Sequence, residues 1–398
     1  MQRGRNAERT RMACLRREAR MIANPISESE YANRIARVRE ALDARSLDAL
    51  IAYGAHRDYR PADLRYLARW FCVEEETSAL FVPREGPTTL LTDVAWDIDR
   101  ARREAFADQM RFTQDFGTEL AALISETHGE RARVGIAGYQ IFPTPVYLTL
   151  VRQLGAATFT DASELTAELR MVKSPAELDL MRTASRISDE AMAAGIARIG
   201  QGTTEIEVAA VADAVIRAAG AEPSFVILMG GGERTVVGAF PSTRTLRSGE
   251  FALLDCGARV QGYHGDMCRT VVVGEPDADQ RRKLEAVESA VKTAIAAIKP
   301  GVTVGAIREA AAQAITEAGY QENWWDVFMP HGNGTEQHEP PDAKKHPALP
   351  LQEHMVLCIE PGISVPGEGV ICIEQMIAVT ADGAEVFNHL PTNMWDHK

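Results

Sequence analysis

The sequence predicts a two-domain protein of class α/β (α+β), with an α/β layer in its first part and a mixed helix-and-strand domain carrying a metal centre in its second. Three observations predict it. The chain has 398 residues, more than one hydrophobic core usually serves. From Ser27 onward, short apolar runs alternate with charged helical stretches, the pattern of an α/β layer. Beyond Leu169 the pattern changes, and five potential metal ligands stand there in a fixed order: Asp255, Asp266, His331, Glu360 and Glu374. The expected division is an extension over 1–26, a first domain over 27–165 and a second over 166–398.

The elements follow in order. Seven arginines fall in the first twenty residues, without the apolar core of a signal peptide and with Glu8 and Glu18 against a transit segment, so a poorly ordered extension is expected. In EYANRIARVREALDARSLDALIAYG, residues Ile35, Val38, Leu42 and Leu47 recur at helical spacing, and LDALIAY is a short apolar run that reads as a buried strand. SALFVP, TTLLTDV, RVGIAGY and ATFTDA are further strand-like runs. The second domain opens with the long helical segment after Ser174-Pro175, where Glu177 stands three residues past Ser174 as in a capping box. A helix ending at Gly220 follows, then strands in SFVILMGG, FALLDCGARV and GYHGDMCRTVVVG. A helix pair covers Asp279 to Ala318 with a break at Pro300-Gly301. The tail returns to strand in HMVLCIEPGISV, GVICIEQMIAVT and AEVFNHLP.

Bulk properties exclude several function classes. No apolar run approaches the 18 or so residues of a membrane span. The formal net charge of -13 would be repelled by a nucleic-acid backbone or an acidic membrane, so neither is an expected partner. None of the six cysteines forms a C-x-x-C pair, which argues against a structural zinc. With no secretory segment, reduced thiols in a cytoplasmic protein are expected.

The five ligands sit in the motifs DCGARVQGYHGDMCRT, HGNGTEQHEPP, CIEPG and IEQM. Four carboxylates and one imidazole suit two divalent cations, which generate a water nucleophile at neutral pH. Asp255 and Asp266 are separated by Gly257 and Gly262, a strand-turn-strand pattern that brings both carboxylates to one side of a sheet. Glu360 ends an apolar strand, and Glu374 is expected on the strand that begins after Gly367. Manganese, iron, cobalt and zinc all fit such donors, and spacing does not choose among them.

These motifs resemble the pita-bread metallopeptidases, which include Xaa-Pro aminopeptidases, prolidases and methionine aminopeptidases, with creatinase as a non-peptidase relative. The run from Asp255 to Asp266 matches D-x-G-x-x-x-x-G-(Y/F)-x-x-D. His331, Gly332, Gly334, His338, Glu339 and Pro340 match the histidine motif, Glu360-Pro361-Gly362 matches E-P-G, and Glu374 matches the fifth ligand position. EYANRIARVREAL resembles the creatinase-type N-terminal domain. The resemblance implies a creatinase-type α/β N-terminal domain followed by a pita-bread catalytic domain. It implies that Asp255 chelates one cation, Asp266 and Glu374 bridge the pair, His331 completes one position and Glu360 the other. Manganese comes first, with zinc, cobalt or iron as alternatives. Glu360 would shuttle the proton, and His338 would hydrogen-bond the substrate carbonyl or oxyanion. Family members are often homodimers whose N-terminal domain reaches the partner's pocket, and Tyr66, Arg69 and Trp70 are the residues to expect there.

Two positions depart from the proline-specific pattern. Ala239, in VVGAFPSTRT, stands where relatives that cleave peptides carry histidine. Cys372 stands where proline-specific members carry arginine, with Gln375 where aspartate is common; a thiol cannot grip a peptide carboxylate. The expected function is therefore a dinuclear metal-dependent hydrolase that cleaves a C–N bond of a small amide or short peptide. The alternatives are a ring-opening amide hydrolase of the ectoine-hydrolase type or a metal-assisted lyase acting on a compact metabolite, and a non-catalytic binding protein.

Cys268, Cys358 and Cys372 each lie two residues from an expected ligand. In a strand that places them on the metal side, and the plainer expectation is a small buried residue behind the site. His264 is likewise expected to be no ligand. Gly230-Gly231-Gly232 reads as a turn rather than a phosphate loop. Trp324 and Trp325 either wall a pocket or anchor the histidine loop.

Overall fold

The computed structural model describes residues 24–55, 62–72, 76–232, 240–325 and 329–396. The Arg-rich extension through residue 23 and the Ala239 position lie outside them. The chain divides into two compact units, one over residues 26–170 and the other from Met171 onward. The sequence reading put the division after residue 165. It falls later because the helix Ser163–Met171 presses Leu165 and Leu169 onto the N-terminal core.

The N-terminal unit is a sheet covered on both faces. Strands β1 (Ala49–Ala55), β2 (Thr77–Pro83), β3 (Thr89–Thr92), β4 (Gln109–Phe112), β5 (Arg133–Ala137) and β6 (Thr158–Asp161) run in the order β4-β3-β2-β1-β5-β6. β1 lies at its centre, parallel to β5 and antiparallel to β2. Every residue of β1 is buried, which explains why it reads as an unbroken apolar run rather than an alternating one. Its side chains still alternate. Leu50 and Ala52 join Ile35, Val38 and Leu42 of helix α1 (Glu28–Ala44) in one core layer. Ala49, Ile51 and Tyr53 join Phe116, Leu120 and Ile124 in the other. Ser27 caps α1 by accepting from the Glu30 amide.

Tyr66 and Trp70 do not present themselves to a partner subunit. They are 1% and 0% exposed within this unit's own core. The Tyr66 hydroxyl donates to the Leu169 carbonyl at 2.9 Å, and Trp70 Nε1 donates to Ser78 Oγ at 3.0 Å. Arg69 has φ 54° and donates its Nε to the Glu104 carbonyl at 2.6 Å. Aromatic residues in a loop-rich stretch look available in a sequence, but here their area is spent on the domain's interior.

The second unit opens with the helix Pro175–Arg198, whose N-terminus carries the expected capping box between Ser174 and Glu177. It packs on a sheet of β7 (Glu222–Gly230), β8 (Phe251–Val260) and β10 (Cys268–Val272) in the order β10-β8-β7, with the short β9 (Tyr263–His264) paired to β8. Further strands are β11 (Trp324–Trp325), β12 (His331–Gly332), β13 (Glu339–Asp342), β14 (Val356–Ile359), β15 (Gly362–Val365), β16 (Gly369–Cys372), β17 (Gln375–Val379) and β18 (Ala384–Val386). They form a five-stranded sheet β13-β12-β14-β17-β18 and a three-stranded sheet β11-β15-β16. Helices Ala278–Ala296 and Val304–Glu317 bury Leu284, Val287, Val291, Ile307 and Ile315 against Leu357, Ile359, Ile371 and Ile377. Among the described residues, no helix is long and apolar enough to cross a membrane.

Candidate metal centre

All five expected ligands lie in the second unit, each at a strand or a strand end. Asp255 sits within β8, directly opposite Cys268 of β10. Asp266 occupies the short link between β9 and β10, and Glu374 the short link between β16 and β17. Glu374 thus stands at a break in the strand pattern rather than inside the strand expected for it. Its amide donates to the Cys268 carbonyl at 3.0 Å, which ties the two links together. Glu360 follows the end of β14, and His331 begins β12. The glycines of the motifs keep the backbones close. A methyl group on Gly257 would overlap the Gly265 carbonyl, and one on Gly332 would overlap the carbonyls of Glu339 and Pro340; only glycine allows such approaches.

The side chains converge. One donor atom each from Asp266, His331, Cys358 and Glu374 lie within 4.8 Å of one another, as do atoms of His331, His338 and Glu360. His331 Nε2 is 3.1 Å from Glu360 Oε1 and 3.9 Å from Glu374 Oε1. Asp266, His331 and Glu374 are at most 2% exposed, and Glu360 is also buried. Asp255 belongs to neither group of converging atoms and is partly exposed, although its Oδ1 is enclosed. His338 is exposed, with its ring centroid 4.1 Å from that of His331. Asn333, fully buried, donates its amide to Asp266 Oδ2 at 3.3 Å.

The electrostatics mark a place short of positive charge. Burial, then the charges of Asp266 and Glu360, push the Asp255 carboxyl well above its ordinary range. Burial, then Asp266, Glu360 and Asp255, do the same to Glu374. Asp266 is pushed up to about 7 by burial, against the pull of His331 and with the push of Glu360. Burial would lower the His331 imidazole, but the adjoining Glu360 carboxylate outweighs it and the net shift is upward. Carboxylates crowded in this way require protons or cations.

Orphaned atoms choose cations. Asp255 Oδ1 is enclosed and lacks a hydrogen-bond partner, and the equally enclosed His331 Nε2 and Glu360 Oε1 have only each other, at 3.1 Å, a costly state unless a ligand completes them. His331 Nδ1 lies 2.9 Å from the Gly332 carbonyl, an arrangement that places the ring proton on Nδ1 and frees Nε2 to ligate. Oxygen-rich donors with one imidazole fit divalent cations.

Of the remaining residues singled out in the sequence, His264 is buried and joins neither converging group. Cys268 and Cys372 pack with Met229, Leu253 and Val370, as small buried residues would. Cys358 differs, because its sulfur joins the ligand cluster. Trp324 packs against the main core and Trp325 against the Cys268–Cys372 cluster, so the pair anchors its segment from two sides. Gly231 and Gly232 turn with φ 71° and 66° and line a cleft with Arg244, Glu250 and Glu368.

Three supporting groups gave no signal in the sequence. Lys173 forms a buried ion pair with Glu339. Asn333 stands between Gly332 and Gly334, at a position the motif leaves unspecified. Arg269 is 0% exposed and donates to the carbonyls of Cys268, Glu374, Leu390 and Pro391 and to Gln375 Oε1. All its N–H donors thus meet neutral oxygens, and Gln375 supplies one of them.

The sequence matches the model of metallopeptidase family M24 over residues 179–381, about half of the chain and the whole stretch that carries the ligands. The chain belongs to metallopeptidase family M24. Residues 34–172 match the creatinase/prolidase N-terminal domain. An Xaa-Pro dipeptidase of Pyrococcus horikoshii is 28% identical over 88% of this chain and 95% of its own length. An uncharacterized peptidase of Staphylococcus aureus is 34% identical over 61% of this chain and 71% of its own. Among solved structures, the prolidase from Pyrococcus horikoshii OT3 superposes with a TM-score of 0.80 at 26% identity, covering 91% of this chain and 99% of the other. This M24 member is a metal-dependent hydrolase built from a creatinase-type N-terminal domain and a catalytic domain of the M24 fold. Such company does not favour a metal-assisted lyase, a metabolite ring-opener or a binding protein.

Proposed function

We propose that this M24 hydrolase is a dinuclear dipeptidase acting on Xaa-Pro or closely related short peptides. Asp255, Asp266, His331, Glu360 and Glu374 hold two divalent cations, for which the oxygen-rich donors favour manganese, with zinc, cobalt or iron as alternatives. When bound, the cations supply Lewis acidity and a water nucleophile at neutral pH. The chain's own groups do the rest. Glu360 accepts the proton from water and returns it to the leaving nitrogen. His338, exposed beside His331, donates to the scissile carbonyl oxygen as negative charge grows there. Asn333 fixes the orientation of Asp266 from behind. The protein works in the cytoplasm as a homodimer.

The observation that carries this reading is the set of enclosed donor atoms on Asp255, His331 and Glu360, which no group from outside the cluster completes, beside carboxylates that burial and mutual repulsion have pushed upward. A panel of Xaa-Pro and Xaa-Ala dipeptides tests it by release of free amino acid. Cleavage should stop when the protein is stripped with chelator and return on adding a divalent cation. Asp266→Ala and Glu374→Ala should lose bound metal and turnover together. Undiminished turnover in the stripped protein, or silence toward every dipeptide, would overturn the assignment.

A further inference from the structure

Cys358 is the only sulfur among the described residues whose donor atom joins the ligand cluster. The sheet puts it there. β12 and β14 pair antiparallel with His331 directly opposite Cys358, and directly opposed residues project from the same face of a sheet. Glu360 lies two residues further along the same segment. The Cys358 sulfur, one His331 ring nitrogen and one oxygen each of Asp266 and Glu374 all fall within 4.8 Å of one another, and all four residues are buried. A second observation points to a ligand at this spot. The His331 side chain is 3% exposed, and its Nε2 is enclosed with no well-formed hydrogen bond, its nearest polar neighbour being Glu360 Oε1 at 3.1 Å.

We propose that Cys358 is a metal ligand, which makes one of the two cation positions a mixed site of two carboxylate oxygens, one imidazole nitrogen and one sulfur. This rests on the proposal above that the cluster holds divalent cations, and it revises the choice of metal. Four donors of three kinds match the tetrahedral habit of zinc. Sulfur is a soft donor that zinc and cobalt accept and that manganese, which favours carboxylate, carbonyl and water, does not. The site therefore selects a zinc- or cobalt-type ion at this position. Cys358 would hold the cation as a thiolate, its thiol proton being released when the cation binds. The other two nearby thiols do not share the role. Cys372 Sγ faces the Glu360 carbonyl at 3.6 Å, and Cys268 Sγ faces the Cys372 carbonyl at 3.8 Å.

Cobalt substitution reads the bond directly. The full-length, metal-stripped protein is titrated with cobalt(II), and its spectrum is recorded together with its cobalt content. The expected result is a near-ultraviolet sulfur-to-cobalt charge-transfer band that disappears in Cys358→Ser and Cys358→Thr but persists in Cys268→Ser and Cys372→Ser. The preference for zinc over manganese, measured by competition, should fall about tenfold or more in the Cys358 variants. X-ray absorption of the zinc-loaded wild type gives a readout that needs no variant, with a sulfur neighbour expected at about 2.3 Å. A wild-type protein that binds cobalt without the band, or a band that survives in Cys358→Ser, overturns the sulfur ligand and leaves the metal hydrolase intact. A wild-type chain that takes up no cobalt overturns both readings.

Discussion

The Lys173 ammonium lies 2.6 Å from Glu339 Oε1, and both side chains are 1% exposed. Lys173 stands just ahead of the first helix of the catalytic unit, and Glu339 begins β13 immediately after His338. The pair ties the helix entrance to the loop that presents the proposed carbonyl-binding histidine. Removing one partner leaves a buried charge uncompensated, which costs roughly 3–5 kcal/mol. Lys173→Met should therefore destabilise the protein by that order, and adding Glu339→Gln should recover much of the loss. Urea denaturation of both single variants and the double closes the cycle, and simple additivity would show that the two groups do not interact.

Ser174 and Glu177 cap the helix Pro175–Arg198 reciprocally, each side chain accepting from the other's backbone amide. Ser174→Ala removes one acceptor and should cost about 1 kcal/mol. Ser174→Asp keeps an acceptor and should cost little. The shift in urea midpoint between the two variants is the measurement.

Arg269 holds the Glu374 and Cys268 carbonyls from a fully buried position. Lysine offers three donors in place of a planar fork of five. Arg269→Lys should therefore leave carbonyls unpartnered and loosen the link that carries Glu374. Metal affinity should fall roughly 10- to 100-fold, the usual effect of losing such support, while the circular dichroism spectrum stays that of the folded protein. Calorimetric titration with cobalt measures the loss, and an unchanged affinity would remove Arg269 from the support of the centre.

Arg182 donates Nε and Nη2 to the two oxygens of Glu385 at 2.8 Å each, across a separation of 203 residues. The hydrogen bond from Arg182 holds the Glu385 carboxyl below its ordinary value of 4.5. A depressed acid adds stability that is fully present above its unfolded pKa and is lost as pH falls through its folded one. The side chains are 39% and 41% exposed, so solvent screens the pair and about 0.5 kcal/mol is the expected size. Glu385→Gln should be less stable than wild type by that amount near neutral pH. The gap should close in acid, below the depressed pKa, when unfolding is compared at the two conditions.

The parts of the fold that read clearly in the sequence are those where one local signal suffices. The unbroken apolar run of Ala49–Ala55 announces a strand covered on both faces, and Ser174-Pro175 with Glu177 announces a helix start. The five candidate ligands were legible as a set because they stand in motifs of fixed spacing. What stayed hidden depends on contacts between distant segments. Nothing near Arg269 says that its guanidinium will meet carbonyls at positions 374, 390 and 391. Residue spacing put Cys358 on the correct face but could not distinguish it from Cys268 and Cys372. That distinction comes from the folded positions of the sulfurs, since only that of Cys358 converges with donor atoms of Asp266, His331 and Glu374 among the described residues. Glu374 was expected inside a strand because the apolar pattern of GVICIEQMIAVT runs through it. The backbone breaks there instead, and its amide turns to the Cys268 carbonyl. Tyr66 and Trp70 misled for the opposite reason: aromatic residues near charged ones resemble a docking surface until the domain core is seen to enclose them.

The residues proposed to hold the cations come from separate stretches, of which Asp255 is the earliest and Glu374 the last. A chain that stops ahead of the closing stretch carries only part of the proposed donor set. Completing the proposed centre therefore requires the chain through Glu374 and the pairing of β17 with β14 that follows it.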